Sequence, residues 1–301
     1  MTTATDKPRK IELKIAGYDV HAIPTGLFAL DGGAMFGTVP KALWQKTNPA
    51  DSLNRIQMEA RALLLVSSDK RILIDTGNGA DFIAKYGEKA GAKFAEIYRV
   101  SPDGVSLESS LAAHGLTTAD ITDVILTHLH FDHAGGATKS VGGITVPTFE
   151  NAVYHLQKEN FETANHPNIR EKASYLKANF EPLLGAGVLK LVDGPQKNYL
   201  PGISLFVSNG HTVGHQVVII EDSNQQLIYC GDVIPTSTHI RSAWIMGYDL
   251  EPLKIIREKS ELLKLTEDKL SYLFFEHDPY CDLATVEKIN DDYRAKERFL
   301  L

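Results

Sequence analysis

The sequence predicts one domain of the α/β class, and three observations lead there. Short β-branched or apolar runs recur along the chain, as in Leu63-Leu64-Leu65-Val66, Val124-Ile125-Leu126 and Val217-Val218-Ile219-Ile220, and each reads as a buried strand. Stretches of helical period, Leu107 to His114 and Leu250 to Leu265, fall between such runs. Polar residues able to hold a metal follow strand ends from 75 to 277, so one functional unit needs nearly the whole chain. Residues 1–9 are polar and expected to fray, which leaves 10–301 as the single domain.

The elements follow in order. Ile11-Glu12-Leu13-Lys14-Ile15 alternates as a strand within Ile11 to Ile23. Leu30 to Gly37 is too glycine-rich for a regular element and too apolar for a solvated loop; Met35 and Phe36 sit in it. It reads as a loop folded over a pocket, a dimer contact, or a buried turn. Leu63–Val66 and Ile72–Ile74 flank Ser67-Ser68-Asp69-Lys70 as a hairpin. Gly115 stops the helix that begins at Leu107. Ala152-Val153-Tyr154 is a strand, followed by helix-like polar sequence through Phe180. Ile203 to Val207 is a strand, 217–220 and 227–230 form a second hairpin, and Tyr272 to Phe275 is the last strand.

Bulk properties exclude several classes. The 301 residues are 43% hydrophobic and 23% charged, as in an ordinary globular protein. A net charge of -7 gives no basic field for nucleic acid. Two cysteines, Cys230 and Cys281, argue against a disulfide scaffold or a thiolate metal cluster. No segment approaches the ~18 uninterrupted apolar residues of a transmembrane helix, and MTTATDKPRK has no apolar core of a signal peptide. A cytoplasmic location without membrane partner is the expectation.

The densest chemistry is Thr127-His128-Leu129-His130-Phe131-Asp132-His133-Ala134-Gly135-Gly136. Three imidazoles and a carboxylate within six residues suit divalent transition metals, zinc first. They exceed what one tetrahedral site takes from one segment, and alternate residues of an extended segment point to opposite sides. The pattern is that expected of a two-metal hydrolytic centre. Other strand ends carry Asp75, His211, Asp232 and His277. Asp75 is either a turn or cap residue or an acceptor for a ligating imidazole. His215 is read as lying behind the ligands or in the pocket, and His239, seven residues past Asp232, as a candidate pocket residue. His21, His114, His155 and His166 are read as ordinary surface or core histidines.

The chain resembles the metallo-β-lactamase fold superfamily. His128, His130, Asp132 and His133 match the HxHxDH motif in full, and His211, Asp232 and His277 follow in the family's order. Ile74-Asp75-Thr76-Gly77 resembles an early motif of the same family. The resemblance covers about residues 60–280. It implies a four-layer αβ/βα sandwich with two divalent metals, Zn2+ by default, at one edge of the sheets. His128, His130 and His211 would hold the first metal, Asp132, His133 and His277 the second, with Asp232 and a water or hydroxide between them.

Within that superfamily the chain is similar to the branch of N-acyl-homoserine lactonases and methyl-parathion-type hydrolases. The likeness lies in Asp31 to Pro40 with Leu43-Trp44, in His166-Pro167-Asn168, and in Trp244 to Asp249. It implies a quorum-quenching lactonase in which a bridging hydroxide attacks a lactone or ester carbonyl, Asp132 shuttles the proton and Phe131 clamps the acyl chain. A homodimer is implied too. Many lactonases place a Tyr three residues after the bridging Asp; here that position is Pro235, so His239, Tyr248 or the metal alone would activate the carbonyl. A phosphotriester or carboxylester hydrolase on the same site, and a non-catalytic metal-binding sensor, are the alternatives.

Overall fold

The computed structural model describes residues 7–101 and 104–301. Its organisation is visible in one strand, Arg55–Val66, whose alternate side chains enter different cores. Leu63 and Leu65 pack between two sheets, while Ala62 and Leu64 pack beneath helices. A strand covered on both faces needs no polar alternation, which is why this segment reads as an unbroken apolar run.

The first sheet runs, in spatial order, Leu189–Val192, Val153–Gln157, Asp123–Ile125, Arg71–Ile74, Arg55–Val66, Tyr18–Asp31 and Leu13–Ile15. The second runs Arg9–Lys10, Asp292–Leu300, Leu283–Ile289, Leu270–Phe274, Gln225–Tyr229, His215–Glu221, Ile203–Ser208 and Gln196–Leu200. Ile72, Ile74 and Ile125 of the first meet Val218, Leu227 and Phe274 of the second in the central core. Helices Leu107–Ala113, Lys158–Asn165 and Glu181–Gly185 cover the outer face of the first sheet through Leu111, Ala164 and Leu183. Helix Pro252–Lys264 covers the second through Ile255, Leu262 and Leu263. The result is the αβ/βα sandwich that the resemblance implied.

Strand direction places the site. Arg71–Ile74 and Asp123–Ile125 pair in parallel, so Asp75 and the 128–133 segment leave by the same edge. Gln225–Tyr229 and Leu270–Phe274 also pair in parallel, which brings Asp232 and His277 out together.

Three differences from the sequence reading have physical causes. Tyr272–Phe275 is not the last strand: Leu283–Ile289 and Asp292–Leu300 follow as an edge hairpin. Its register shifts between Thr285 and Val286, and such an irregularity breaks the period-two pattern. Arg9 does not fray; it pairs with Phe299 in a two-residue parallel strand, while residues 1–6 lie outside the described residues. Gly32–Phe36 is a short helix rather than a loop, with the Asp31 carboxylate accepting from the Ala34 N–H at its start. Among the described residues no helix is long and apolar enough to cross a membrane.

Candidate metal centre

The loop after Asp123–Ile125 is shaped by close backbone approach. A Cβ on Gly135 would lie 2.1 Å from the Asn78 carbonyl oxygen, and one on Gly136 would lie 2.3 Å from that of Thr76. Only glycine lets the 128–136 segment settle against the turn 75–78. Asp75 itself has a positive φ of 57°, and its carboxylate ties the two segments. It accepts from the Thr127 N–H and hydroxyl, each at 2.7 Å, and from His133 Nδ1 at 3.1 Å. Of its two readings, the acceptor for an imidazole is the one the geometry supports.

Two groups of metal-competent atoms result. His128, His130, His211 and Asp232 form one; Asp132, His133 and His277 form the other. Asp232 lies between them. Its Oδ2 is 3.1 Å from His211 Nε2, 3.8 Å from His128 Nε2 and 3.5 Å from His133 Nε2. Its Oδ1 is 3.2 Å from His277 Nε2. Asp132 Oδ2 stands 3.7 Å from the same nitrogen. All seven side chains are buried.

Four of the five rings, all but that of His130, are oriented from behind. His211 Nδ1 donates to Asp249 (2.9 Å), His277 Nδ1 to the Glu59 carbonyl (3.0 Å), and His133 Nδ1 to Asp75 and to Glu276, 2.9 Å away. The Thr127 hydroxyl lies 3.1 Å from His128 Nδ1. With those protons placed, the inward nitrogen of each such ring carries a lone pair whenever the ring is neutral. His277 Nε2 and His133 Nε2 face each other at 3.2 Å, as do His211 Nε2 and His130 Nδ1. Facing lone pairs repel unless a cation or proton intervenes. His128 Nε2, His130 Nε2 and Asp232 Oδ1 are buried without a hydrogen-bond partner, a cost that coordination of His128 and Asp232 would remove. The donor set fits two divalent transition-metal cations.

The electrostatics agree. Burial lowers His128 and His130 below the ordinary range, and the neighbouring imidazoles add to this at His128. Burial also opposes charge on His211 and His277, but the Asp232 carboxylate outweighs it and holds them at about 10 and about 9. Burial disfavours the Asp232 anion, yet His133 and His211 keep it well below the usual carboxylate range. Burial raises Glu276 to about 8, with Asp75 adding to the shift.

A cavity of about 140 Å3 opens over this floor. Met35, Phe131 and Tyr248 line it as expected, with Leu30, Met58, Tyr98 and Met246. Other candidates lie elsewhere. Phe36 is fully buried, stacked between Trp44 and His239. His239 is not a wall residue: its Nδ1 meets the Thr236 hydroxyl at 2.7 Å and its Nε2 donates to the Met35 carbonyl at 2.8 Å. It pins the segment that carries Met35. His215 sits behind the floor, its Nε2 accepting from the Asp232 N–H at 3.1 Å. His155 is a core histidine held by Asp123 and Tyr199, and His166 is exposed. The sequence reading missed Asp249, Glu276, Glu171 and Tyr98. Glu276 adjoins His277, and Asp249 closes the segment Trp244 to Asp249, singled out there without a role for its carboxylate; Tyr98 ends a helix, Glu88–Tyr98, that carried no motif.

The family model of the metallo-beta-lactamase superfamily matches residues 59–277. An N-acyl homoserine lactonase of Bacillus thuringiensis is 27% identical over 264 residues, covering 86% of this chain and 92% of that protein. A crystal structure described as a "probable metal-dependent hydrolase" from Staphylococcus aureus is 31% identical, with a TM-score of 0.84 over 96% of this chain and 99% of its own. AidC, a dizinc quorum-quenching lactonase solved with a product, is 21% identical with a TM-score of 0.74, covering 98% and 99% of the two chains, and supports the fold alone. With its sandwich, its paired histidine clusters and this match over most of its length, the chain belongs to the metallo-beta-lactamase superfamily, at a distance from the N-acyl homoserine lactonases.

Proposed function

We propose that the protein is a dinuclear metal-dependent hydrolase that opens N-acyl-homoserine lactones. The observation that carries this reading is the placement of Asp232. Its carboxylate reaches both histidine clusters, Oδ2 standing near His211, His128 and His133 and Oδ1 near His277, on the floor of a cavity walled by Leu30, Met35, Met58, Phe131 and Met246. Such a cavity suits a compact polar ring at the floor and an aliphatic chain along the wall. The similarity to the Bacillus lactonase favours that substrate over other esters.

His128, His130 and His211 would hold one cation, Asp132, His133 and His277 the other, and Asp232 both. Two divalent cations held there would supply Lewis acidity and lower the pKa of a bound water from about 15.7 toward about 7. Asp132 stands at the cavity floor, where its carboxylate takes the proton of the attacking water and returns it to the leaving ring oxygen. Met35 and Phe131 exclude bulk water from the reacting carbonyl. No serine or cysteine nucleophile is needed. Cys230 is fully buried, and burial pushes its thiol far above the ordinary range.

The test is metal analysis joined to a substrate panel. Wild type should carry about two metals per chain and cleave acyl-homoserine lactones faster than an aryl dialkyl phosphate. Asp232→Ala should lose metal and activity together. Cleavage of the phosphate ester alone would replace the lactonase reading with a phosphotriesterase. Inertness of the fully metallated protein toward lactones, esters and phosphotriesters would leave a metal-binding sensor.

A further inference from the structure

Besides the metal-competent residues, the side chains lining the cavity that carry donors are Arg170, Ser174, Tyr98 and Tyr248. Arg170 donates to the Gly247 carbonyl across the mouth. Glu171 is an acceptor, taken by Asn168 and by the Thr212 hydroxyl at 2.7 Å each. Position 235 is a proline with no side-chain donor, and both His239 nitrogens are engaged away from the cavity. Tyr98 differs. It lines the same cavity as Asp132, Asp232 and His277, and its hydroxyl has no hydrogen-bond partner among the described residues.

Its ring is held on several sides. It lies 4.6 Å from the Phe131 ring and 5.0 Å from that of Phe94, centroid to centroid. The helix that ends at Tyr98 is tied to the first sheet by Arg55, whose Nη1 donates to the Glu96 carbonyl at 3.0 Å and whose Nε pairs with Asp51 at 2.9 Å. Arg99 then turns the chain away in the left-handed region, φ 52°. An aromatic side chain fixed by tilted and edge-on ring contacts and by a tied helix end loses little entropy when its hydroxyl binds. Tyr248 also lines the cavity, but it is 41% exposed.

We propose that Tyr98 is a catalytic residue whose hydroxyl donates a hydrogen bond to the scissile carbonyl oxygen of the substrate. The assignment rests on the hydrolase reading above, and on the lactonase reading only for the choice of substrate. A donor fixed before the reaction gains strength as negative charge develops on that oxygen. A phenol with an ordinary pKa near 10 is still protonated at neutral pH. No proton is transferred by Tyr98: the hydrogen bond strengthens as the tetrahedral oxyanion forms and relaxes as the ring oxygen leaves.

Tyr98→Phe keeps the ring and removes only the donor. On an N-hexanoyl-homoserine lactone, kcat should fall ~10- to 100-fold with little change in KM. In the metal-loaded protein, calorimetry with N-hexanoyl-L-homoserine should give a Kd raised ~3- to 10-fold, the worth of one neutral hydrogen bond. Metal content and Tm should match wild type. Unchanged kcat and Kd would overturn the assignment. So would an equal or larger loss in Tyr248→Phe, or a fall in metal content or Tm in Tyr98→Phe, which would make Tyr98 a packing residue. A wild type inert to lactones would sink the lactonase reading; Tyr98 would then be judged by the same kcat loss on p-nitrophenyl acetate, and inertness toward both substrates would overturn both claims.

Discussion

Asp249 accepts a hydrogen bond from Nδ1 of His211 at 2.9 Å, across 38 residues of chain. The contact turns Nε2 of His211 toward Asp232, and the second Asp249 oxygen accepts from the Met246 N–H at 2.9 Å. One carboxylate therefore orients a metal-competent ring and fixes the segment carrying Met246 and Tyr248. Asp249→Ala should weaken metal binding by ~10- to 100-fold, read by competition with a chromophoric chelator. An unchanged affinity would show that packing alone orients His211.

Metal binding should be pH-dependent with a definite sign. In the metal-free protein, burial opposes charge on His211 and His277, but Asp232 keeps them protonated up to about 10 and about 9. These values are raised above the unfolded histidine value near 6.5. Their contribution to apo stability is thus complete below about 6.5 and is lost as pH rises through 9 and 10. A cation takes the place of those protons, so zinc binding releases protons and tightens as pH rises toward about 9. Calorimetry in buffers of different ionisation enthalpy measures the release. Binding that is independent of pH would contradict the assignment of these rings as ligands.

The approach of Gly136 to Thr76 should be intolerant of any side chain. A Cβ there would stand 2.3 Å from the Thr76 carbonyl oxygen, and the backbone on both sides is fixed by the Asp75–Thr127 bonds. Gly136→Ala should cost about 2 kcal/mol or more, measured by urea denaturation, and lower metal occupancy. A neutral effect would mean that the 128–136 loop yields more readily than its contacts suggest.

Lys259 is fully buried, and its amine donates to the carbonyls of His239, Arg241 and Trp244 at 3.1, 3.0 and 2.6 Å. Burial lowers its pKa to about 7. Lys259→Met fills the space but leaves three carbonyls without their donor, a loss of about 3 kcal/mol. The 239–244 segment should exchange amide protons faster in the variant, and hydrogen exchange reads this directly. Unaltered exchange with unaltered Tm would show that water replaces the amine.

Much of the site was legible because its residue types are chemically narrow. Three histidines and an aspartate in six residues have few uses other than metal, and each remote partner, His211, Asp232 and His277, follows an apolar strand that sequence period reveals. The hairpins and the helix Pro252–Lys264 were legible for the same reason, since both of their faces are specified by simple periods. The final hairpin was not: Glu287, Lys288, Arg294 and Lys296 give an edge strand the look of a solvated segment, and the register shift at Thr285 hides its period. His239 misled because nearness in sequence to Asp232 says nothing about which way a buried ring turns.

By itself the sequence determined most strands and hairpins and the identity of the metal-competent side chains, because apolar period and ligand chemistry are both local properties of the chain; the sandwich followed from the family resemblance that those side chains carry. Only the tertiary structure decided which groups stand behind and above them. Asp249 behind His211, Glu276 behind His133 and Tyr98 over the cavity are brought there by strand pairing and by a tied helix end. Their carboxylates and hydroxyl carry no pattern of their own, since a hydrogen bond constrains two atoms in space and leaves their separation along the chain free.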